Sequence, residues 1–192
     1  DIGEGPLSRA IAHIHAYGLE TQIETRRSDG LKMLSPEEVD TIIIAGMGGA
    51  LMCSILDAAD SGFCGTKELI LQPQSEIFKV RRKLHAMHYQ IVEELFLQED
   101  GKYYTVIKAV PGEEYYEKEV YEQYGKLLLL NKDALLFTYL EEKLDKTTQL
   151  LEKLTDHNKM IPEKTLERIR QLEGEERQLK EALFYYNETY ID

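Results

Sequence analysis

Three short clusters of acidic, hydroxyl and glycine residues are where this chain can do chemistry. The richest is residues 39–49, Val-Asp-Thr-Ile-Ile-Ile-Ala-Gly-Met-Gly-Gly. Val39 to Ile44 is an apolar, β-branched run of the kind that a central parallel strand buries on both faces. It passes without a solvating loop into Ala45, Gly46, Met47, Gly48 and Gly49. Glycines at the carboxyl end of a strand let backbone approach a ligand, in the crevice where open α/β sheets bind theirs. The same spacing also makes a tight strand-to-helix turn that holds no ligand. Two other clusters precede it. Asp1-Ile2 puts an acid at the end of what would be the preceding strand, where its two oxygens can bind both ribose hydroxyls of a nucleoside cofactor. Ser28-Asp29-Gly30 offers a short polar side chain for an adenine amino group and a glycine that lets backbone close in, although Asp-Gly is also an ordinary turn. The three in this order suit S-adenosylmethionine.

The elements that must hold these clusters alternate helix and strand. Pro6 opens a helix whose apolar face is Ile11, Ile14 and Tyr17, ending at Gly18. Residues 22–27 alternate as a strand, 35–38 make a helical turn, and 41–44 form the next strand. Residues 50–59 are helical with Leu51, Ile55 and Leu56 inward. A strand at 68–71, a helix at 77–88 and two strands at 90–98 and 103–110 around Glu99-Asp100-Gly101 follow. Strands separated by helices predict right-handed crossovers, a mostly parallel sheet and three layers, with the last pair an antiparallel addition. After Pro111-Gly112 the character changes. Residues 1–112 are expected to form a Rossmann-like α/β domain. Residues 113–192 are expected to form a connector and an antiparallel coiled-coil hairpin. One seam of that hairpin is Phe137, Leu140, Leu144, Thr147, Leu151, Leu154 and Ile161. The other is Leu166, Ile169, Leu172, Leu179, Leu183 and Tyr186. The hairpin turns near His157–Pro162, and the end from Tyr185 is expected to fray.

Composition narrows the classes. The chain has 192 residues, 43% hydrophobic and 30% charged, and no apolar run near the roughly 20 residues of a membrane span. Cys53 and Cys64 stand apart from any Cys/His cluster, which supports neither a disulfide framework nor a zinc site. A reducing cytoplasm, no metal, no membrane and a monomer are the expectation. The formal net charge of −12 argues against indiscriminate nucleic-acid binding. Two local basic groups, Arg26-Arg27 and Lys79, Arg81, Arg82 and Lys83, remain candidates for phosphate contacts, with a solvated helix face as the competing reading of the second.

Six segments then carry a family resemblance: Asp1 to Leu7, Ser28-Asp29-Gly30-Leu31, Ile43 to Gly49, Leu69-Ile70-Leu71-Gln72-Pro73, Gly101-Lys102-Tyr103-Tyr104 and Ile161-Pro162-Glu163-Lys164. On these the chain resembles the bacterial tRNA adenine N1-methyltransferases of the TrmK type, which modify the adenine at position 22 of tRNA. The resemblance runs over essentially the whole chain. It implies a class I methyltransferase domain, S-adenosyl-L-methionine as cofactor and tRNA as partner. Asp1, Ile2, Ser28, Asp29, Gly30, Ala45 and Gly46 would bind the cofactor. Gly46, Met47, Gly48 and Gly49 would frame the methyl-transfer site, with Gln72 and Pro73 beside the target base. Tyr104 is a candidate stacking partner or a strand core residue. A ring nitrogen already carries its lone pair, so alignment suffices and no catalytic dyad is needed; His13, His15, His85 and His88 are given no catalytic role. The family's first strand and glycine-containing cofactor loop would precede Asp1, so this chain alone is expected to bind cofactor weakly or not at all and to expose a sheet edge. Gln74 stands where the family more often carries Asn. Three alternatives remain: a methyltransferase with a protein or small-molecule substrate, a non-catalytic module presenting a coiled coil, and a nicotinamide dehydrogenase, whose Gly-x-Gly-x-x-Gly loop is not seen.

Overall fold

The computed structural model describes residues 1–58, 65–155 and 162–187. Cys64 and the expected turn at residues 157–161 lie outside them. Helix α1 (Glu4–Ala16) begins two residues before Pro6, which the first turn tolerates because the N–H that proline lacks would have no helical partner there. Residues 22–27 form no strand. They lie beside residue 1 instead, where the terminal ammonium of Asp1 donates to Arg26 O (3.2 Å) and Ser28 N–H donates to Asp1 O (3.0 Å).

Strands β1 (Thr41–Met47) and β2 (Glu68–Pro73) pair in parallel, from Thr41↔Glu68 to Ile44↔Leu71. Strands β3 (Tyr89–Glu99) and β4 (Lys102–Pro111) form an antiparallel hairpin, and β4 lies against β2, giving the order β1-β2-β4-β3. The sheet of the described residues is therefore mixed, with one parallel pair, and corrects the expectation of a mostly parallel one. A tight turn at Asp100-Gly101, both at positive φ, joins β3 to β4, and it is β4, not β3, that lies against β2.

β1 is also not buried on both faces. Ile42 and Ile44 point into the core while Ile43 between them is 67% exposed. A continuous β-branched run has the same composition whether one face or two are covered, so only the fold decides. On the covered face, Leu69, Leu71, Ile91, Ile107 and Ala109 meet Met52 and Leu56 of α2 (Gly49–Asp57) and Val80 and Leu84 of α3 (Ile77–Ala86). Leu51, expected inward, is exposed, and Met52 takes its place. Cys53, half-buried on the same helix, has its thiol pushed up by burial.

A second core begins where the connector was expected. Helices α4 (Glu119–Tyr124) and α5 (Lys126–Leu130) bury Val120, Tyr124, Leu128 and Leu129 against Leu136 and Leu140 of α6 (Ala134–Leu154) and Leu179, Ala182 and Tyr185 of α7 (Glu163–Asn187). The Asp133 side chain accepts from Leu136 N–H and caps α6. α6 and α7 run antiparallel. Tyr186 donates to Asp133 O at one end, and Thr148 and Lys143 meet Glu176 and Glu175 farther along. Ile169, Leu172 and Leu179 of the expected α7 seam are buried, and the seam is offset only at its end, where Ala182 and Tyr185 lie deeper than Leu183 and Tyr186. Tyr185 is 4% exposed and α7 extends to Asn187, so the helix does not fray at Tyr185.

The two cores meet at a buried ion pair. Arg81 Nε donates to Glu94 Oε1 at 2.7 Å, with side chains 1% and 0% exposed. Arg81 Nη1 also donates to the backbone oxygens of Glu122 and Gln123 at the end of α4. One side chain thus ties the sheet to the helical layer.

Candidate functional site

The carboxyl ends of β1 and β2 lie side by side and carry the glycine cluster and the Gln-Pro pair. Ala45 is opposite Gln72 and Met47 opposite Pro73, with a bulge at Gly46 between them. Gly46 adopts φ +77°, which only glycine takes at no cost, and a Cβ there would point into open space. Its N–H donates to Gln72 Oε1 at 2.8 Å. That bond fixes the Gln72 amide, whose Nε2 is buried with no hydrogen-bond partner among the described residues. Pro73 is buried beneath.

The three glycines serve different ends. Gly49 is needed for packing against the chain itself, since a Cβ there would fall 2.7 Å from Glu76 O and closer still to Ser75 O. Its N–H donates to Ser75 O at 3.0 Å, and Gln74 N–H donates to Met47 O at 2.9 Å. Gly48 faces the Ser75 hydroxyl. Of the cluster, Gly46 is the one with open space at its Cα.

A cavity of about 450 Å³ opens on this turn. Asp1, Ile2, Ser28, Asp29, Gly30 and Ala45, all expected at a cofactor site, line it together with Leu31, Met47 and Ile55. Residues 27 positions apart in sequence meet because Ser28 is hydrogen-bonded to Asp1. Gly30, at φ +60°, leaves room that a Cβ would lose to Ile55 at 2.9 Å. Asp1 Oδ1 already accepts from Gly3 N–H, and Ser28 Oγ donates to Gly30 O, which hold both side chains in place. Lys32 pairs with Asp29 at the rim. The cavity is apolar on one wall and rimmed by carboxylates and hydroxyls, a donor set suited to a nucleoside with hydroxyls and an exocyclic amine.

The basic candidates do not form an open patch. Arg26 is held charged by hydrogen bonds to Glu38 and Glu24, and Glu38 in turn lies below the usual carboxylate range. Arg27 pairs with Glu4, Lys79 with Glu76, Arg82 with Glu122 and Lys83 with Asp57. Arg81 is a correction. Buried with Glu94, it cannot reach a phosphate on the surface, and helical spacing could not distinguish it from its neighbours. Tyr103, on the opposite face of β4 from Tyr104 by strand alternation, lines a cavity that Tyr104 does not. Among the described residues no group of three His, Cys, Asp or Glu side chains could hold a metal, and no helix is long and apolar enough to cross a membrane.

Comparison with known proteins gives the same picture from outside. Residues 1–175 match the family described as TrmK, tRNA (adenine(22)-N(1))-methyltransferase. The tRNA (adenine(22)-N(1))-methyltransferase of Bacillus subtilis strain 168 is 39% identical over 113 residues, which are 59% of this chain and 48% of that protein. The chain thus spans about half the length of that curated relative. The crystal structure of B. subtilis TrmK superposes with TM-score 0.82 at 30% identity, covering 95% of this chain and 80% of the other. Streptococcus pneumoniae Sp1610, solved in complex with S-adenosyl-L-methionine, superposes with TM-score 0.80 at 26% identity, covering 95% and 78%.

Proposed function

Because the chain belongs to the TrmK family of tRNA (adenine(22)-N(1))-methyltransferases, we propose that it serves S-adenosyl-L-methionine-dependent methylation of adenine N1 in tRNA. The observation that carries this reading is the convergence of Asp1, Ser28–Gly30, Ala45 and Met47 on one cavity at the end of β1. S-adenosyl-L-methionine fits the residues present. In this reading the carboxylate of Asp1 accepts from the ribose hydroxyls, and Ser28 and Asp29 meet the adenine edge. When bound, the cofactor supplies an electrophilic methyl on sulfur. Gly46, with its open Cα, lets that methyl lie close to backbone, and Gln72, pinned by Gly46, borders the opposite side.

The target nitrogen brings its own lone pair. The protein must therefore align nucleophile, methyl and sulfur and keep water out, which is catalysis by orientation. No side chain has to remove a proton before attack. The unspent N–H donors of Gln72 Nε2 give the target base a polar partner at the junction of the two strands. A base within a folded tRNA has to leave its stack to reach this point.

Titration calorimetry of S-adenosyl-L-methionine into this chain, followed by mass spectrometry of a tRNA transcript incubated with both, tests the reading. Saturable binding weakened about tenfold by Asp29→Ala supports it, that being the effect of losing one charge-assisted hydrogen bond. Binding unchanged by Asp29→Ala and Asp1→Ala overturns the assignment of this cavity.

A further inference from the structure

A second cavity, of about 320 Å³, opens where the sheet meets the helical layer. It shares no lining residue with the cavity at Asp1 and Asp29. It nevertheless starts at Gln74, whose backbone N–H is bonded to Met47 O of the glycine turn. Its walls are aromatic. Phe96 and Tyr103 lie parallel, with centroids 5.4 Å apart and 8° between planes, and Tyr139 of α6 meets Tyr103 edge-on at 4.9 Å. Phe78 of α3 adds a fourth ring. Packing between the two cores accounts for buried neighbours such as Leu136, but these four rings stay only half-buried. The charged groups on the lining are each paired, Glu76 with Lys79, Arg81 with Glu94 and Lys143 with Glu175, which leaves the Gln74 and Gln123 amides and the buried hydroxyl of Thr105 to serve either edge of a neutral heterocycle.

The aromatic wall continues outward. A shallower cavity of about 300 Å³ shares Tyr103, Tyr139 and Lys143 and ends at Lys146. Lys143 is engaged by Glu175 at 2.8 Å; burial pulls its pKa down, but Glu175 and Tyr139 outweigh that and hold it charged. The Lys146 side chain is 76% exposed and reaches Glu142 at 3.4 Å. Aromatic faces leading to an exposed cation are the arrangement that takes successive bases of a single strand with their phosphates outside.

We infer that the aromatic cavity binds an unstacked RNA base, that of a nucleotide adjoining the methylated adenine, with its phosphate drawn towards Lys146. The inference rests on the tRNA methyltransferase reading and deepens it. A strand whose reacting base lies at Gly46 and Gln72 passes Gln74 in one direction, and there the first binding surface it meets is this cavity. Every base has a π-face, so the site holds the strand in register without reading its sequence.

The test uses tRNA transcripts with 2-aminopurine replacing, in turn, each nucleotide beside the target adenine. Binding to the full chain is expected to change the fluorescence at one of the two positions. Tyr139→Ala abolishes that change and weakens binding about tenfold, as loss of one stacking contact does, whereas Tyr139→Phe preserves both. Lys146, being exposed, can be reversed without disturbing either core. Lys146→Glu lowers tRNA affinity several-fold if the phosphate path is right. No fluorescence change at either position, an equal change in Tyr139→Ala, or unaltered affinity in Lys146→Glu overturns the inference. Cofactor titration on the same variants reads the methyltransferase assignment separately, since none of them lines the cavity at Asp1.

Discussion

Gly125 has no room for a side chain. It sits at φ +95°, and a Cβ would lie 2.6 and 2.8 Å from the Glu94 carboxylate and 2.9 Å from Arg81 Nη2. Gly125→Ala therefore combines backbone strain with a clash against the buried pair, and is expected to lower stability by about 2 kcal/mol or more, read as a shift in the urea midpoint. The pair itself is expected to behave asymmetrically. Arg81→Met strands a fully buried carboxylate and costs about 3–5 kcal/mol, while adding Glu94→Leu to it recovers most of the loss. His85 gives a pH signature. Burial lowers its pKa below the usual 6.5, against the opposing pull of Glu114, so the unfolded chain binds the proton more readily than the folded one. Its contribution to stability is complete above about pH 6.5 and is lost as pH falls from there through the folded value. His85→Gln should flatten the stability profile below about pH 6.5 relative to the parent. None of this was legible in the sequence. Arg81 stands in a run with Lys79, Arg82 and Lys83, and nothing in residue type marks the one that turns inward.

At the scale of elements, the helical layer depends on the contact between α6 and α7. Leu140 and Leu179 are both fully buried in the second core. Leu140→Ala or Leu179→Ala should each cost about 2–5 kcal/mol, with near-ultraviolet dichroism of the tyrosines reporting the loosened packing. Leu183→Ala, on the half-buried side, should cost less. The seams were legible because 3-4 spacing survives any change of partner, but their exact faces were not, since a shift of one residue along α7 moves the inward set from Leu183 to Ala182. The strands show the complementary case. Existence and limits of β2, β3 and β4 followed from apolar runs bounded by Gln-Pro, Asp-Gly and Pro-Gly. Their pairing did not, because the apolar runs and the β3–β4 turn read the same whichever strand of the hairpin lies against β2. The cavity lined by Asp1, Ser28–Gly30 and Ala45 was legible as three separate ends. The aromatic cavity was not, since Phe78, Phe96, Tyr103 and Tyr139 come from four elements and meet only when both cores form.

For the whole molecule, the distribution of charge bears on the RNA binding proposed for it. The formal charge is −12, and Arg26, Arg27, Lys79, Arg82 and Lys83 each have a carboxylate partner. Affinity for tRNA is then expected to fall only shallowly with added salt, because few phosphates are neutralised. Glu122→Gln, which frees Arg82, should strengthen binding and steepen that salt dependence; filter binding over a range of salt concentrations measures both. The joint between the two cores has a consequence in descent. Residues 81 and 94 lie on α3 and β3 and residue 125 between α4 and α5, yet none can vary alone without stranding a charge or forcing atoms together. They form a single heritable unit. A relative with any side chain at the position of Gly125 is expected to have surrendered the acid at 94 and the guanidinium at 81 together, so an alignment of such relatives should show these three columns changing in step.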